Sequence, residues 1–313
     1  MSNRRDFLKT AGLASAAFGF GLPQMSFSMK KEDLFKISLA EWSLQRPLFA
    51  KKMDHLDFAI EAKKHKIDAV EYVNQFFKDK ATDKAYLTEM KARAEGEGVT
   101  SVLIMIDGEG QIGAATSEER KQTVENHKKW VEAAKFLGCH AIRVNSYTAV
   151  PYSTAADKEQ EAINVCSSGL RQLCEFADGF DIDVIVENHG GFSSNGKWLA
   201  EMIKQTAHKR AGTLPDFGNF RIHAEGDKIS SYDSYRGVDE LMKYAKGVSL
   251  KPIVWDDYGK EHPLDYERMM KIVVAHGFKG YVGIEHGEEG REWDSIDEIR
   301  ANLDTIRRTL ENA

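Results

Sequence analysis

Three segments of this 313-residue chain each carry an apolar run onto a carboxylate, followed by polar residues or glycine. They are Ile185-Val186-Glu187-Asn188-His189-Gly190-Gly191, Leu214-Pro215-Asp216-Phe217-Gly218-Asn219 and Gly283-Ile284-Glu285-His286-Gly287. Glu71 is a fourth acid in a similar apolar setting. Acids gathered at one place repel one another and are costly to strip of water unless protons or a cation neutralise them. A divalent metal ion is the economical partner. Lys251, within Gly247-Val248-Ser249-Leu250-Lys251-Pro252, is a second source of positive charge. Any one of these acids reads equally well as a helix cap or the partner of a rim arginine, but three at successive late run ends are harder to assign that way. Residues two apart in extended chain share a side, so His189 joins Glu187 as ligand, base or hydrogen-bond donor. The same spacing pairs Arg143 with Asn145 and aims the guanidinium at Glu71 or another acid.

The elements that must position these groups follow a simple pattern. From Leu34 onward, short β-rich runs alternate with longer segments of helical periodicity, as expected of βα units around a parallel sheet. Eight runs are predicted: Phe35 to Trp42, Ala69 to Asn74, Thr100 to Ile106, Cys139 to Asn145, Asp183 to Glu187, Gly212 to Asp216, Gly247 to Val254, and Gly280 to Glu285. Thr116-Ser117-Glu118-Glu119 has the form of a capping box, Gly138 closes the same helix, and Ser295-Ile296-Asp297-Glu298 is expected to open the last one. No linker interrupts the series, and no Gly-rich phosphate loop follows the first run, which argues against a doubly wound open sheet. The expected fold is α/β, a single (β/α)8 barrel over residues 34–313, with the acids at the strand C-termini that form its mouth.

The order and spacing of these end-of-run acids resemble the sugar phosphate isomerase/epimerase superfamily with its xylose isomerase-like TIM barrel, over nearly all of the chain after its N-terminus. The resemblance implies a divalent metal, Mn, Mg, Zn or Co, held by Glu187, Asp216 and Glu285, with Glu187 and Glu285 also exchanging protons beside a metal-bound carbonyl. It implies a small carbohydrate substrate. Two departures stand out. The family's seventh-strand His is Ser249 here, and its Asp-x-x-His ends in Asn219, so a fourth ligand is lost and metal binding is expected to be weaker or differently tuned. Lys251 is then a candidate catalytic cation, and Trp42, Glu71, Asn145, His189, Asn219 and His286 are candidate substrate contacts. The leading expectation is an isomerase or epimerase. A hydratase or lyase acting on keto-sugars or polyols is the runner-up, and a non-catalytic sugar-binding barrel or an endonuclease-like protein are further alternatives.

Composition bounds these readings. The net charge is -6 and no basic block interrupts the body of the chain, which disfavours a nucleic-acid partner and the endonuclease reading with it. Cys139, Cys166 and Cys174 form no CxxC pair, so neither a disulfide framework nor a zinc knuckle is expected. Asn3-Arg4-Arg5-Asp6-Phe7-Leu8-Lys9 precedes a small apolar run reaching about Pro23, the form of a twin-arginine export signal. That run is too short for an ordinary membrane span. Residues 1–33 are therefore expected to be a signal and short linker, and the barrel to be periplasmic, with a homo-oligomer left open.

Overall fold

A computed structural model describes residues 33–225 and 228–312; the expected twin-arginine signal lies outside the described residues. Eight strands carry the architecture: β1 (Lys36–Ala40), β2 (Ala69–Val73), β3 (Thr100–Met105), β4 (Ala141–Asn145), β5 (Asp183–Glu187), β6 (Ala211–Leu214), β7 (Val248–Leu250) and β8 (Tyr281–Ile284). A helix follows each in turn, from Phe58–Lys64 after β1 to Glu292–Glu311 after β8. All pairings within the sheet are parallel, and its order is β6-β5-β4-β3-β2-β1-β8-β7. The remaining seam, between β6 and β7, is closed by single bridges, Thr213 with Ala245 and Asp216 with Ser249. The fold is a single (β/α)8 TIM barrel, as the alternation of runs predicts.

Strand parity decides what the barrel encloses. Inward positions such as Ala40, Val73, Leu103, Ala141, Ile185 and Leu214 belong to one apolar cluster, distinct from the larger one between strands and helices. Further along β4 and β5, on β7 and just past β8, inward positions become Arg143, Asn145, Glu187, Ser249 and Glu285, so polarity is concentrated at the C-terminal end. The apolar layers below provide close packing, and the polar layer above is left to chemistry.

Local signals explain most of the boundaries. Thr116 and Glu119 form a reciprocal capping box at the start of Ser117–Leu137, and Gly138, at φ 86°, ends it in a left-handed conformation that glycine adopts without strain. Two expectations need correction. The seventh run ends at Leu250 rather than Val254: Pro252 has no N–H for the sheet, and the chain turns into a hairpin of Ile253–Trp255 with Glu261–Pro263. The last helix begins at Glu292 rather than near Ser295, because its first turn forms from Arg291 without a side-chain cap. Among the described residues, no helix is long and apolar enough to cross a membrane.

Candidate active site

The loops after β2 and β5 hold their neighbours with matching amide clamps. Asn188, just past β5, donates Nδ2 to the Asp216 carbonyl at 2.9 Å and accepts the Asp216 N–H at 2.8 Å. Asn74, just past β2, does the same for Asp107, at 2.9 and 3.0 Å. Each clamp fixes an acid just beyond the last regular rung of the neighbouring strand, where the ladder would otherwise stop constraining it.

Glu187, Asp216 and Glu285 converge as predicted: a carboxylate oxygen of each lies within 4.8 Å of the other two, and all three side chains are buried. That spacing is compatible with one divalent ion. The charge balance differs from a bare acid cluster, however. Lys251 Nζ lies 2.5 Å from Asp216 Oδ2 and 2.6 Å from Glu285 Oε1, with Glu187 Oε1 at 3.9 Å. Ser249, at the expected imidazole position, offers its hydroxyl to Asp216 Oδ2 at 2.9 Å and Glu285 Oε2 at 3.2 Å. Asn219, at the second such position, donates its amide to Glu187 Oε1 at 2.7 Å. Arg143 reaches the other side of Glu187, Nε to Oε2 at 2.8 Å, an ion pair without good hydrogen-bond alignment.

Burial and charge then set protonation. Burial would lower the Lys251 ammonium, but Asp216, Glu285 and Glu187 outweigh it and hold it well above the ordinary lysine value, so it stays charged. Burial raises Asp216 to about 6 against the pull of Lys251, helped by the charges of Glu187 and Glu285, which leaves it ionised at neutrality. Burial would raise Glu285 too, but Lys251 and then Arg143 reverse this and hold the carboxyl below its usual range. Arg143 is held above its ordinary value: the cost of burying it is exceeded by its pairing with Glu187 and Asp107.

The other predicted contacts divide. His189 is exposed at the mouth with Nδ1 2.7 Å from the Tyr147 hydroxyl, on the flank of a cavity of about 620 Å³ lined also by Ser146, Tyr152 and Phe192. The Gly190-Gly191 turn, φ 79° and 55°, allows that loop to fold back so that Ser193 and Ser194 accept the His189 and Gly190 N–H groups. Trp42 stands at the rim, packed with Phe49 and Phe76 at centroid distances of 6.1 and 6.3 Å. Asn145 donates to Asp107 Oδ1 at 2.8 Å, and only its Oδ1 is left without a partner.

Two expectations are corrected. His286 is not free to meet a substrate: it is buried, its Nδ1 accepts the Glu288 N–H, and its Nε2 lies 3.0 Å from the Glu292 carbonyl, so both ring nitrogens are spent on backbone. Glu71 is sealed inside the barrel rather than exposed at the mouth. Its Oε1 accepts from Ser38 at 2.6 Å, and it fills the space that Gly283, one inward layer below Glu285, leaves by having no side chain. Burial pushes Glu71 up to about 8, so it is mostly a neutral acid at pH 7.

The sequence reading did not single out Asp107, which gathers Arg143, Asn145 and Gln75. Its position immediately after the third predicted run was the available signal. Another cavity, of about 330 Å³, opens at the opposite, N-terminal end of the barrel among Lys36, Asp68 and Arg300, on the other side of the apolar layers from the carboxylates.

Comparison with known proteins agrees with this architecture. A family profile described as the xylose isomerase-like TIM barrel matches residues 60–309. The fold is shared with a 3-keto-D-glucoside 4-epimerase from E. coli, at 15% identity and TM-score 0.63 over 88% of this chain and 99% of that one. A xylose isomerase-like TIM barrel protein from Mycobacterium smegmatis in complex with magnesium matches at 13% identity and TM-score 0.64, over 88% and 98% of the two chains. A probable 3-DHS dehydratase from Bacillus anthracis matches at 16% identity and TM-score 0.64, over 86% and 99%. No curated protein sequence matches the chain significantly. With the barrel complete and its acids at the strand ends, the profile match over most of the sequence identifies the chain as a member of the xylose isomerase-like TIM barrel family.

Proposed function

We propose that the protein is an enzyme that moves a proton on a carbon beside a carbohydrate carbonyl, with isomerisation or epimerisation as the outcome. The observation that carries this reading is the convergence of Glu187 and Glu285, from strands on either side of β6 and β7, on one positively charged focus. Removing a proton next to a carbonyl places negative charge on the carbonyl oxygen, and a cation in a water-poor site stabilises that charge most effectively. Glu285, held as the carboxylate, takes the proton, and Glu187 returns one that it must first have taken up from solvent; return to the opposite face inverts the centre, and return to the neighbouring carbon moves the carbonyl. Asp216 orients the cation, and Arg143 holds Glu187 in place. The carbohydrate-acting epimerase among the structural neighbours supports the substrate class. A divalent ion would supply the same charge as a Lewis acid, but the Lys251 ammonium already lies against Asp216 and Glu285 where such an ion would sit.

The test is proton exchange in D2O with a panel of ketoses and keto-glycosides, followed by NMR. Exchange that survives unchanged in both Glu187→Gln and Glu285→Gln would end this reading. A hydratase or lyase outcome has its own support in the Tyr147–His189 pair beside the cavity, whose phenol or imidazole would give a proton to a departing hydroxyl or alkoxide. An unsaturated product detected by ultraviolet absorbance distinguishes it. We further propose, from Arg4-Arg5 and the apolar run after them, that the protein is exported to the periplasm; fractionation of cells producing an Arg4→Lys/Arg5→Lys variant tests this, with retention in the cytoplasm expected.

A further inference from the structure

Both oxygens of each converging acid already face a donor. Glu187 has the Asn219 amide at Oε1 and the Arg143 guanidinium at Oε2. Asp216 Oδ1 accepts the N–H groups of Gly218 and Asn219, at 2.8 and 2.9 Å, and its Oδ2 faces Ser249 and Lys251. Glu285 has Lys251 at Oε1 and Ser249 at Oε2. A carboxylate oxygen keeps a second lone pair beside one donor, so these contacts crowd a metal ion without by themselves excluding it. The ion would also have to sit about 2.0–2.3 Å from one oxygen of each acid, the region where the Lys251 ammonium already lies against two of the three.

The lysine's place is built into the backbone. A side chain at Gly218 would begin 2.8 Å from Lys251 Cβ and 3.1 Å from its Cδ, so the loop after β6 is bare where the lysine stem passes. The two residues standing where imidazoles are expected, Ser249 and Asn219, are both donors here, which turns two expected ligand positions the same way as Lys251. As placed, the side chains present do not fit a divalent ion.

We propose that Lys251 is a tethered cation standing in for the divalent metal, so that the three acids hold an ammonium group and bind no metal. An ammonium has three N–H groups. Two are directed at Asp216 and Glu285, and the third is left for an oxygen of the ligand, the carbonyl oxygen in the reaction proposed above. Only that last role rests on the proposed reaction; the exclusion of metal stands on the geometry alone.

The test is equilibrium binding of Mn²⁺ to the full chain after chelator treatment, with free Mn²⁺ read by electron paramagnetic resonance. Wild type and Lys251→Arg are expected to leave Mn²⁺ free. Lys251→Met, whose unbranched stem still packs on Gly218, is expected to take it up at least about tenfold more tightly, the scale on which groups around a site tune metal affinity. Uptake of one equivalent by wild type overturns the proposal, and that measurement needs no variant to fold. A folded Lys251→Met, checked by circular dichroism, that binds Mn²⁺ no better than wild type overturns it as well. The readout needs no substrate, so absent sugar turnover would count against the proposed reaction and leave this result standing.

Discussion

Asn219 donates its side-chain amide to Glu187 Oε1 at 2.7 Å, tying the loop after β6 to the acid that ends β5. Asn219→Ala removes a part-buried hydrogen bond to a carboxylate, a class worth about 1.5–3 kcal/mol. The expected result is a loss of about tenfold in kcat/KM, equivalent to about 1.4 kcal/mol of transition-state free energy, with a lowered melting temperature. Unchanged kinetics in a fully folded variant would show that Glu187 keeps its pose without the amide.

Chelator treatment is expected to leave stability untouched. A ligand that binds only the folded state raises its stability by RT ln(1 + [L]/Kd), so a resident metal would reveal itself as a melting temperature that falls with EDTA and recovers with Mn²⁺. Differential scanning calorimetry should instead give superimposable transitions with EDTA, with excess Mn²⁺ and without either. A Mn²⁺-dependent upward shift is the contrary result.

Glu71 should leave a signature in stability against pH. Burial lifts it to about 8 from an ordinary value of 4.5, with Ser38 pulling it partly back and the Glu285 and Glu187 charges adding to the rise. Across that window the folded state keeps a proton that the unfolded chain has released. The stabilising contribution is therefore complete below about 4.5 and is lost as pH rises towards about 8. Glu71→Gln cannot titrate, so the urea midpoint of wild type should fall relative to the variant between about pH 5 and pH 8. Parallel curves would place the ionised carboxylate in the folded protein.

His286 is expected to act through structure alone. Burial holds the imidazole below its usual range, and a neutral ring accepting at Nδ1 and donating at Nε2 satisfies the turn that leads into the last helix. His286→Ala should cost about 1–3 kcal/mol in denaturant unfolding, the penalty for buried backbone groups left unpaired, and change kcat by less than about twofold. A large kcat effect with unaltered stability would return this residue to the substrate.

The eight strands were legible because a buried parallel sheet writes nearly continuous apolar runs, and the acids were legible because they end those runs. What stayed hidden depended on partners distant in sequence. His189 and His286 follow their acids at two residues and one; one faces the mouth and the other is consumed by the backbone of Glu288 and Glu292, which nothing in the local spacing announces. Glu71 read as a mouth residue because its depth is set by Gly283 on a strand more than two hundred positions away. The role of Lys251 depended on Gly218, whose missing side chain becomes meaningful only once β6 and β7 lie side by side. The boundary errors near Leu250 and Glu292 arose where a proline and an uncapped turn decided the chain's path locally.

The amide clamps of Asn74 and Asn188 have an architectural consequence. Each amide offers both a donor and an acceptor to a backbone unit on the adjacent strand's extension, as one further peptide rung would. The backbone of Asp107 and of Asp216 is thereby held by the rigid barrel, while the Asp216 carboxylate is also held by the N–H groups of Gly218 and Asn219 just after it. Beyond Gly218 and Asn219, which themselves hold the acids, the segments that follow Asp107 and Asp216 can gain, lose or exchange residues over evolutionary time while the acids stay in register, so substrate preference can drift without dismantling the chemistry beneath it.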